Sequence, residues 1–141
     1  MRLLALLFLT ATPVEAECRL ALALATDVSR SIDAADFRVQ TEGLALALAD
    51  SEVQRAILQG GGTVALAVYQ WSGAAHQEIL HDWVLVDGPE ALDRVIWSVL
   101  AARQPERRQL TALGEAMRFG VELLNRAPPC DRRVLDVAGD G

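Results

Sequence analysis

The sequence predicts an α/β domain with an open, mostly parallel sheet and helices on both faces. Residues 20–25 are apolar at every position, as in a central strand that a parallel sheet buries on both sides. Segments with helical spacing of apolar residues alternate with further strand-like runs, in the order β-α-β-β-α-α-β once a short second helical piece is left aside. This alternation is typical of a layered α/β domain.

The composition is that of a single globular domain. The chain has 141 residues, of which 52% are hydrophobic and 23% charged, so it can form one folded core and is not a disordered protein. The formal net charge of −6 argues against nucleic acid and against an anionic membrane surface as binding partners.

Residues 1–16 are predicted to be a secretory signal peptide, and the domain proper to span 17–141. Arg2 supplies a positive start, residues 3–9 an apolar core, and residues 14–16 a cleavage site of the small-x-small type. The apolar stretch is too short for a stable membrane span, although an uncleaved anchor or a buried helix is an alternative. We therefore expect an exported protein, either periplasmic or secreted.

The first half of the domain is predicted to contain three strands and one long helix. A helix over 33–50 follows the first strand, and Ser31 or Asp33 can cap it. Its inward side, at helical spacing, is formed by Phe37, Thr41, Leu44 and Leu48. A helical piece over 52–58 ends at three glycines, which precede a strand and so indicate a turn and not a phosphate-binding loop. Strands over 63–71 and 78–86 are joined by a short link that indicates a hairpin.

The second half is predicted to contain two helices and a fourth strand. Pro89 suits the first turn of the first of these helices. The buried side of this helix is formed by Leu92, Val95, Ile96 and Val99. The next helix is predicted from Thr111 to about Asn125, where two prolines beyond its end stop it. Its inward side is expected to be Leu113, Met117, Val121 and Leu124. The fourth strand is predicted over 133–138.

Oxygen-bearing side chains follow the first and fourth strands and precede the last helix. Asp27, Ser29 and Ser31 come directly after the first strand, Thr111 stands at the predicted helix start, and Asp140 follows the fourth strand. Ligands of open α/β sheets bind beyond the carboxyl ends of the strands, and hard oxygen ligands suit Mg²⁺ or Ca²⁺. The alternative is that the hydroxyls cap helices and that Asp27 makes a local turn bond.

Other polar residues are weaker candidates. Asp136 rivals Asp140 but falls within the predicted strand, so we interpret it as structural. His76 and His81 lack the Cys or carboxylate spacing of a zinc site and are interpreted as surface residues. The loop before Thr111 carries three arginines that either are simply solvated or steer an acidic partner: Arg103, Arg107 and Arg108.

The motif Asp27-x-Ser29-x-Ser31, with Thr111 and Asp140-Gly141, resembles the metal-ion-dependent adhesion site of von Willebrand factor A domains. Segments 69–73, 110–114 and 132–141 are similar to an uncharacterised family of exported bacterial von Willebrand factor A-like proteins. The resemblance implies that Ser29 and Ser31 ligate the metal directly and that Asp27 and Asp140 act directly or through water. It also implies that Thr111 joins in the ligand-ready state.

The resemblance implies a metal-dependent protein-binding module that holds Mg²⁺, or Mn²⁺ or Ca²⁺ in its place. Three neutral hydroxyls and two carboxylates leave an octahedral ion short of negative charge, so it can take a carboxylate from a partner protein as its sixth ligand. One alternative is a metal-dependent hydrolase or phosphatase built on Asp27. Aspartate-based phosphatases need a second acid two residues after the first as general acid, and here that position is Ser29. A metal-free structural domain is a third possibility. We expect that the protein is not an enzyme.

In the wider von Willebrand factor A family, the domain continues past its Asp-Gly with further strands and helices. This sequence ends at Gly141. We therefore expect the C-terminal part of the domain to be missing and the fourth strand to be an open edge.

Two cysteines remain after residue 16, and an even count in an exported chain favours a disulfide. Cys18 lies nine residues before Asp27, and Cys130 lies ten residues before Asp140. If the two acids lie at one end of neighbouring parallel strands, the two cysteines lie level at the other end. Adjacent strands are about 4.8 Å apart, which is within the Cα–Cα range of a disulfide.

Overall fold

The computed structural model of the chain describes residues 17–106 and 109–139. The elements in this part of the chain, in order, are β1 (Cys18–Asp27), α1 (Ala34–Ala49), α2 (Ser51–Leu58), β2 (Thr63–Trp71), β3 (Gln77–Val86), α3 (Pro89–Leu100), α4 (Leu113–Asn125) and β4 (Arg133–Ala138). The predicted order is confirmed. The predicted signal peptide and Asp140 lie outside the described residues and stay predictions.

The strands form one sheet in the order β3-β2-β1-β4. β1 pairs in parallel with both β2 and β4, and β2 pairs antiparallel with β3, as the predicted hairpin requires. β1 is therefore a central strand between two parallel neighbours, which explains why residues 20–25 carry no polar face. Within the described residues β4 is paired on one side only, so it is an edge strand.

Helices cover both faces of the sheet, as predicted. α1 and α3 pack on one face, where Leu48, Leu92 and Val95 meet Leu66 and Val68 of β2. The predicted inward sides of both helices are confirmed, because their members are buried or half-buried. α4 packs on the opposite face against a cluster formed by Ala23, Ala25, Ala67, Tyr69 and Trp71.

The predicted inward side of α4 is wrong for three of its four members and confirmed for Leu124, which is half-buried and packs against this cluster. Leu113, Met117 and Val121 are 45%, 49% and 53% exposed, and the helix instead buries the side formed by Ala116, Gly120 and Leu123. The cause is the close approach of the helix to the sheet. A Cβ atom on Gly120 would lie 2.6 Å from the Leu135 side chain and 2.7 Å from the Tyr69 hydroxyl. Ala116 and Gly120 therefore face the sheet where the helix comes closest to it, and Leu113, Met117 and Val121 lie away from it.

The predicted disulfide joins Cys18 to Cys130, with a Cα–Cα distance of 4.5 Å. The pairing of β1 with β4 runs from Ala21 opposite Arg133 to Thr26 opposite Ala138, a constant offset that places the two cysteines level. The Asp131 amide also donates a 3.0 Å hydrogen bond to the Cys18 carbonyl. The disulfide thus closes the end of the β1–β4 pair that lies away from Asp27.

We find no helix in the described ranges that is long and apolar enough to cross a membrane.

Candidate metal-binding site at the carboxyl end of the sheet

Asp27 ends β1 and is fully buried. One of its carboxylate oxygens, Oδ1, accepts a 2.7 Å hydrogen bond from the Ser29 amide. The other oxygen, Oδ2, is buried and has no hydrogen-bond partner among the described residues. The local turn bond that the sequence allowed is therefore real, but it uses only half of the carboxylate. A buried carboxylate oxygen without a partner carries a large desolvation cost, so this atom is suited to a cation or a donor supplied from outside.

Three hydroxyl groups converge beside this carboxylate. The Ser29 and Ser31 hydroxyl oxygens are 3.1 Å apart. The Thr111 hydroxyl donates a 3.2 Å hydrogen bond to the Ser29 hydroxyl, across 82 positions of sequence. The structure therefore brings together four of the five predicted ligand residues. The fifth, Asp140, lies outside the described residues.

These hydroxyls do not cap the neighbouring helices. Asp33 is the N-cap of α1, and its side chain accepts hydrogen bonds from the Ala35 and Asp36 amides. α4 begins at Leu113, two residues later than predicted, and its N-cap is Ala112, which makes no side-chain cap bond. Thr111 therefore lies before the helix, where its hydroxyl reaches Ser29.

Backbone hydrogen bonds between three loops hold this arrangement. The Val28 amide donates to the Trp71 carbonyl at 2.8 Å, and the Arg30 amide donates to the Gln109 carbonyl at 2.9 Å. The Ala112 amide donates to the Ser72 carbonyl at 2.9 Å. Gln109, two residues before Thr111, and Ala112, directly after it, are thus each bonded to a different loop. The position of its side chain is set by the backbone on both sides.

Close packing between two of these loops requires a glycine. A Cβ atom on Gly73, in the loop after β2, would collide with the side chain of Gln109. In the sequence, segment 69–73 was singled out for its similarity to related proteins. The packing role of Gly73 was not predicted. No periodic pattern marks such a contact, because its two partners are far apart in the chain.

A glutamine of α1 supports the end of β1. The Gln40 side-chain amide donates a 3.1 Å hydrogen bond to the Asp27 backbone carbonyl. The Gln104 side-chain amide donates a 2.8 Å bond to the carbonyl of Ile32, at the end of the Asp-x-Ser-x-Ser loop. Both side chains hold the loop in position through its backbone carbonyls. Neither glutamine was predicted from the sequence, because glutamines on helices and in loops are common.

The register of β4 places Gly139, the residue directly after the strand, beside Asp27. Thr26 pairs with Ala138, so Gly139 is the next residue level with Asp27. A Cβ atom on Gly139 would lie 3.3 Å from Asp27 Oδ2 and 3.3 Å from Trp71 Cζ2. Asp136, in contrast, pairs with Leu24 and lies three residues short of this level. Its interpretation as a residue of the strand, away from the site, agrees with this register.

The remaining polar candidates make contacts outside the hydroxyl cluster. The His81 Nδ1 atom is 2.8 Å from the Ser98 hydroxyl of α3, and burial lowers the pKa of His81. The Arg103 carbonyl accepts a 3.1 Å hydrogen bond from Gln70, and the other two arginines of that loop, 107 and 108, are not described. In the described ranges, no group of three or more His, Cys, Asp or Glu side chains could hold a metal ion. The candidate site has a different donor set, in which hydroxyls predominate.

The donor chemistry fits a hard divalent cation. Asp27 offers a carboxylate oxygen that is unpartnered among the described residues, and the Ser29 hydroxyl lies within hydrogen-bonding distance of the hydroxyls of both Ser31 and Thr111. Mg²⁺ and Ca²⁺ prefer such oxygens, and Mg²⁺ commonly keeps water at its other positions.

The fold is von Willebrand factor A-like, because its four-stranded mixed sheet with helices is shared with a vWF domain of known structure. The profile of the DUF1194 family, described as proteins of unknown function, matches residues 17–141. The chain belongs to this family. Among curated proteins, none matches the sequence significantly.

Three solved structures share the fold at low sequence identity. The PilB minor pilin from Streptococcus sanguinis has a TM-score of 0.68 and 13% identity over 92% of this chain. The vWF domain of the type V pili tip protein Mfa5 from Porphyromonas gingivalis has a TM-score of 0.59 and 9% identity over 89%. The pilus adhesin SpaC from Lactobacillus rhamnosus GG has a TM-score of 0.58 and 14% identity over 86%. This chain spans only 31%, 38% and 15% of these structures, respectively.

Proposed function

We propose that this chain is an extracytoplasmic binding module that captures an acidic group of a partner protein through a divalent cation. Asp27, Ser29, Ser31 and Thr111 would hold the ion, together with Asp140. The ion is Mg²⁺, with Mn²⁺ or Ca²⁺ as substitutes. When bound, it supplies a Lewis-acidic coordination position that a partner carboxylate can fill.

The proposal rests on one observation: a buried carboxylate oxygen without a partner in the described residues occurs in the same site as three converging hydroxyls. Within residues 17–106 and 109–139, Asp27 Oδ2 has no hydrogen-bond partner although its residue is fully buried. Most buried polar atoms of folded proteins have one, so this oxygen calls for a cation or an external donor. Hydroxyls are neutral ligands, which leaves the ion with positive charge to attract an acidic partner.

Two further observations support the proposed setting. The fold is shared with proteins described as a minor pilin, a pili tip protein and a pilus adhesin. The Cys18–Cys130 disulfide favours an oxidising compartment, such as the periplasm or the outside of the cell.

Calorimetric titration of the folded protein with Mg²⁺, Mn²⁺ and Ca²⁺ tests the proposal. We expect one equivalent of metal to bind and Asp27→Asn to remove this binding, because the substitution removes the charge and keeps the size. Asp93→Asn, which removes an exposed carboxylate from α3, is the matched control and should bind as the wild type does.

Two outcomes would contradict the proposal. Absence of binding up to millimolar concentrations of all three ions would favour the metal-free structural domain. Asp27-dependent release of phosphate from a generic phosphate ester would favour the hydrolase.

A further inference from the structure

An open cavity of about 320 Å³ lies beside the hydroxyl cluster. It is lined by Arg30, Ser31, Leu110 and Thr111. Two of these residues are proposed metal ligands, so a group bound to the metal would enter this cavity. The other two differ in chemistry, since one is a cation and the other is apolar.

Arg30 lines this cavity with a backbone that is anchored and a side chain that makes no salt bridge in the described residues. Its amide is bonded to the Gln109 carbonyl at 2.9 Å, which anchors the loop, and the residue is exposed. Salt bridges in the described part of the chain involve Arg118 and Arg126, and none involves the Arg30 guanidinium. Guanidinium groups bind carboxylates through charge-assisted and commonly bidentate hydrogen bonds.

Leu110 supplies an apolar wall on the other side of Thr111. It is 68% exposed, and it lies in the segment between Gln109 and Ala112, which are both held by the loop bonds described above. Exposed single leucines are common on protein surfaces, but this one lines the same cavity as a cation and two candidate ligands.

The overall charge of the protein makes a local cation necessary for an acidic partner. The chain carries a formal net charge of −6, which repels acidic molecules at long range. A metal ion and Arg30 together would place positive charge beside this cavity.

We propose that the ligand is an acidic peptide segment with two acidic groups and an adjacent apolar side chain. One acidic group binds the metal, the second binds Arg30, and the apolar side chain packs on Leu110. This inference rests on the proposed function, since the first acidic group is the one that the metal captures.

Selection from a random peptide library tests this inference. The folded protein is immobilised in Mg²⁺, and bound peptides are eluted with a chelator, so only metal-dependent binders are recovered. We expect these peptides to carry two acidic residues and an apolar residue within a few positions. A representative peptide is then synthesised with its second acidic residue either intact or changed to the amide.

Affinities for both peptides are measured with the wild type, Arg30→Gln and Arg55→Gln. Arg55 lies on α2, which leads into the start of β2 at the opposite end of the sheet, so its substitution makes the same charge change away from the cavity. Losing a charge-assisted hydrogen bond should weaken binding of the diacidic peptide by about tenfold in Arg30→Gln. Arg55→Gln should have little effect, and the amide peptide should bind Arg30→Gln and the wild type equally. Leu110→Ser should remove the preference for the apolar residue.

Metal-dependent peptides with a single acidic residue, bound equally by the wild type and Arg30→Gln, would overturn this inference and leave the proposed function intact. Recovery of no metal-dependent peptide would overturn both. Calorimetry of the same protein preparation would then show whether the metal site itself had failed.

Discussion

The Tyr69 hydroxyl donates a 2.7 Å hydrogen bond to the backbone carbonyl of Ala116, joining β2 to the first turn of α4. Both residues are fully buried. α4 begins two residues after Thr111, so this bond helps to fix the helix whose preceding loop contributes to the candidate site. The contact also gives the protein a built-in spectroscopic probe, because Tyr69 is its only tyrosine.

Tyr69 should ionise at unusually high pH. Burial raises its pKa to about 12. Because the fold favours the neutral phenol, its contribution to stability is complete below the ordinary pKa of about 10 and is lost as the pH rises through about 12. Tyrosinate absorbance should therefore show one transition near pH 12 in native protein and one near pH 10 in denaturant. A native transition near 10, with circular dichroism still showing folded protein, would contradict the burial of this hydroxyl.

Gly120→Ala should destabilise the protein, because the added methyl group would collide with Leu135 and the Tyr69 hydroxyl. Overpacking of this kind costs about 1–3 kcal/mol in the free energy of unfolding. The matched control is Gly43→Ala in the middle of α1, where a Cβ atom meets nothing within 4 Å. That substitution should be neutral or stabilise by up to about 1 kcal/mol. Denaturant unfolding measures both, and equal effects would show that α4 does not approach the sheet as described.

Removing the disulfide should lower stability without changing the fold. The bond joins residues 112 positions apart, so the chain-entropy relation gives a loss of at most about 4–5 kcal/mol. The double variant Cys18→Ser, Cys130→Ser should unfold at the same denaturant concentration as reduced wild type and well below oxidised wild type. Thiol titration of denatured, unreduced wild type should find no free cysteine. Two thiols per chain would contradict the bond.

Substitutions in the candidate metal site should fall into a graded series. Asp27→Ala should abolish Mg²⁺ binding, because it removes a full charge beside the ion. Ser29→Ala should weaken binding by about tenfold, because water can replace a neutral ligand. Thr111→Ala should affect metal affinity less than affinity for the acidic peptide, if Thr111 acts in the ligand-ready state. Calorimetry with metal and then with peptide separates these effects, and equal metal binding by the wild type and Asp27→Ala would remove the basis for the series.

Much of the fold was predictable because its determinants are local. β2 and β4 occupy the predicted residues, since a strand depends on the side chains along it and on the turns beside it. The level pairing of Cys18 with Cys130 followed from counting residues along two parallel strands, whose spacing per residue is the same. The positions of Asp27, Ser29 and Ser31 at the end of β1 were evident from the end of the apolar run.

The buried side of α4 was not predictable in the same way. Apolar size alone favours Leu113, Met117 and Val121, yet the helix buries Ala116 and Gly120. The distance between helix and sheet decides this choice, and that distance depends on residues of β2 and β4 far away in the chain.

The sequence by itself determined the order of the elements, the oxygen-bearing residues at the end of β1 and the partners of the disulfide. Only the tertiary structure decided that the Thr111 hydroxyl reaches Ser29, that one oxygen of Asp27 finds no partner in the part of the chain that the structure describes, and that Arg30 lines a cavity beside them. The physical reason is the range of the interactions involved. Strand and helix patterns arise between near neighbours in sequence, whereas these contacts form between loops that meet only when the sheet is assembled.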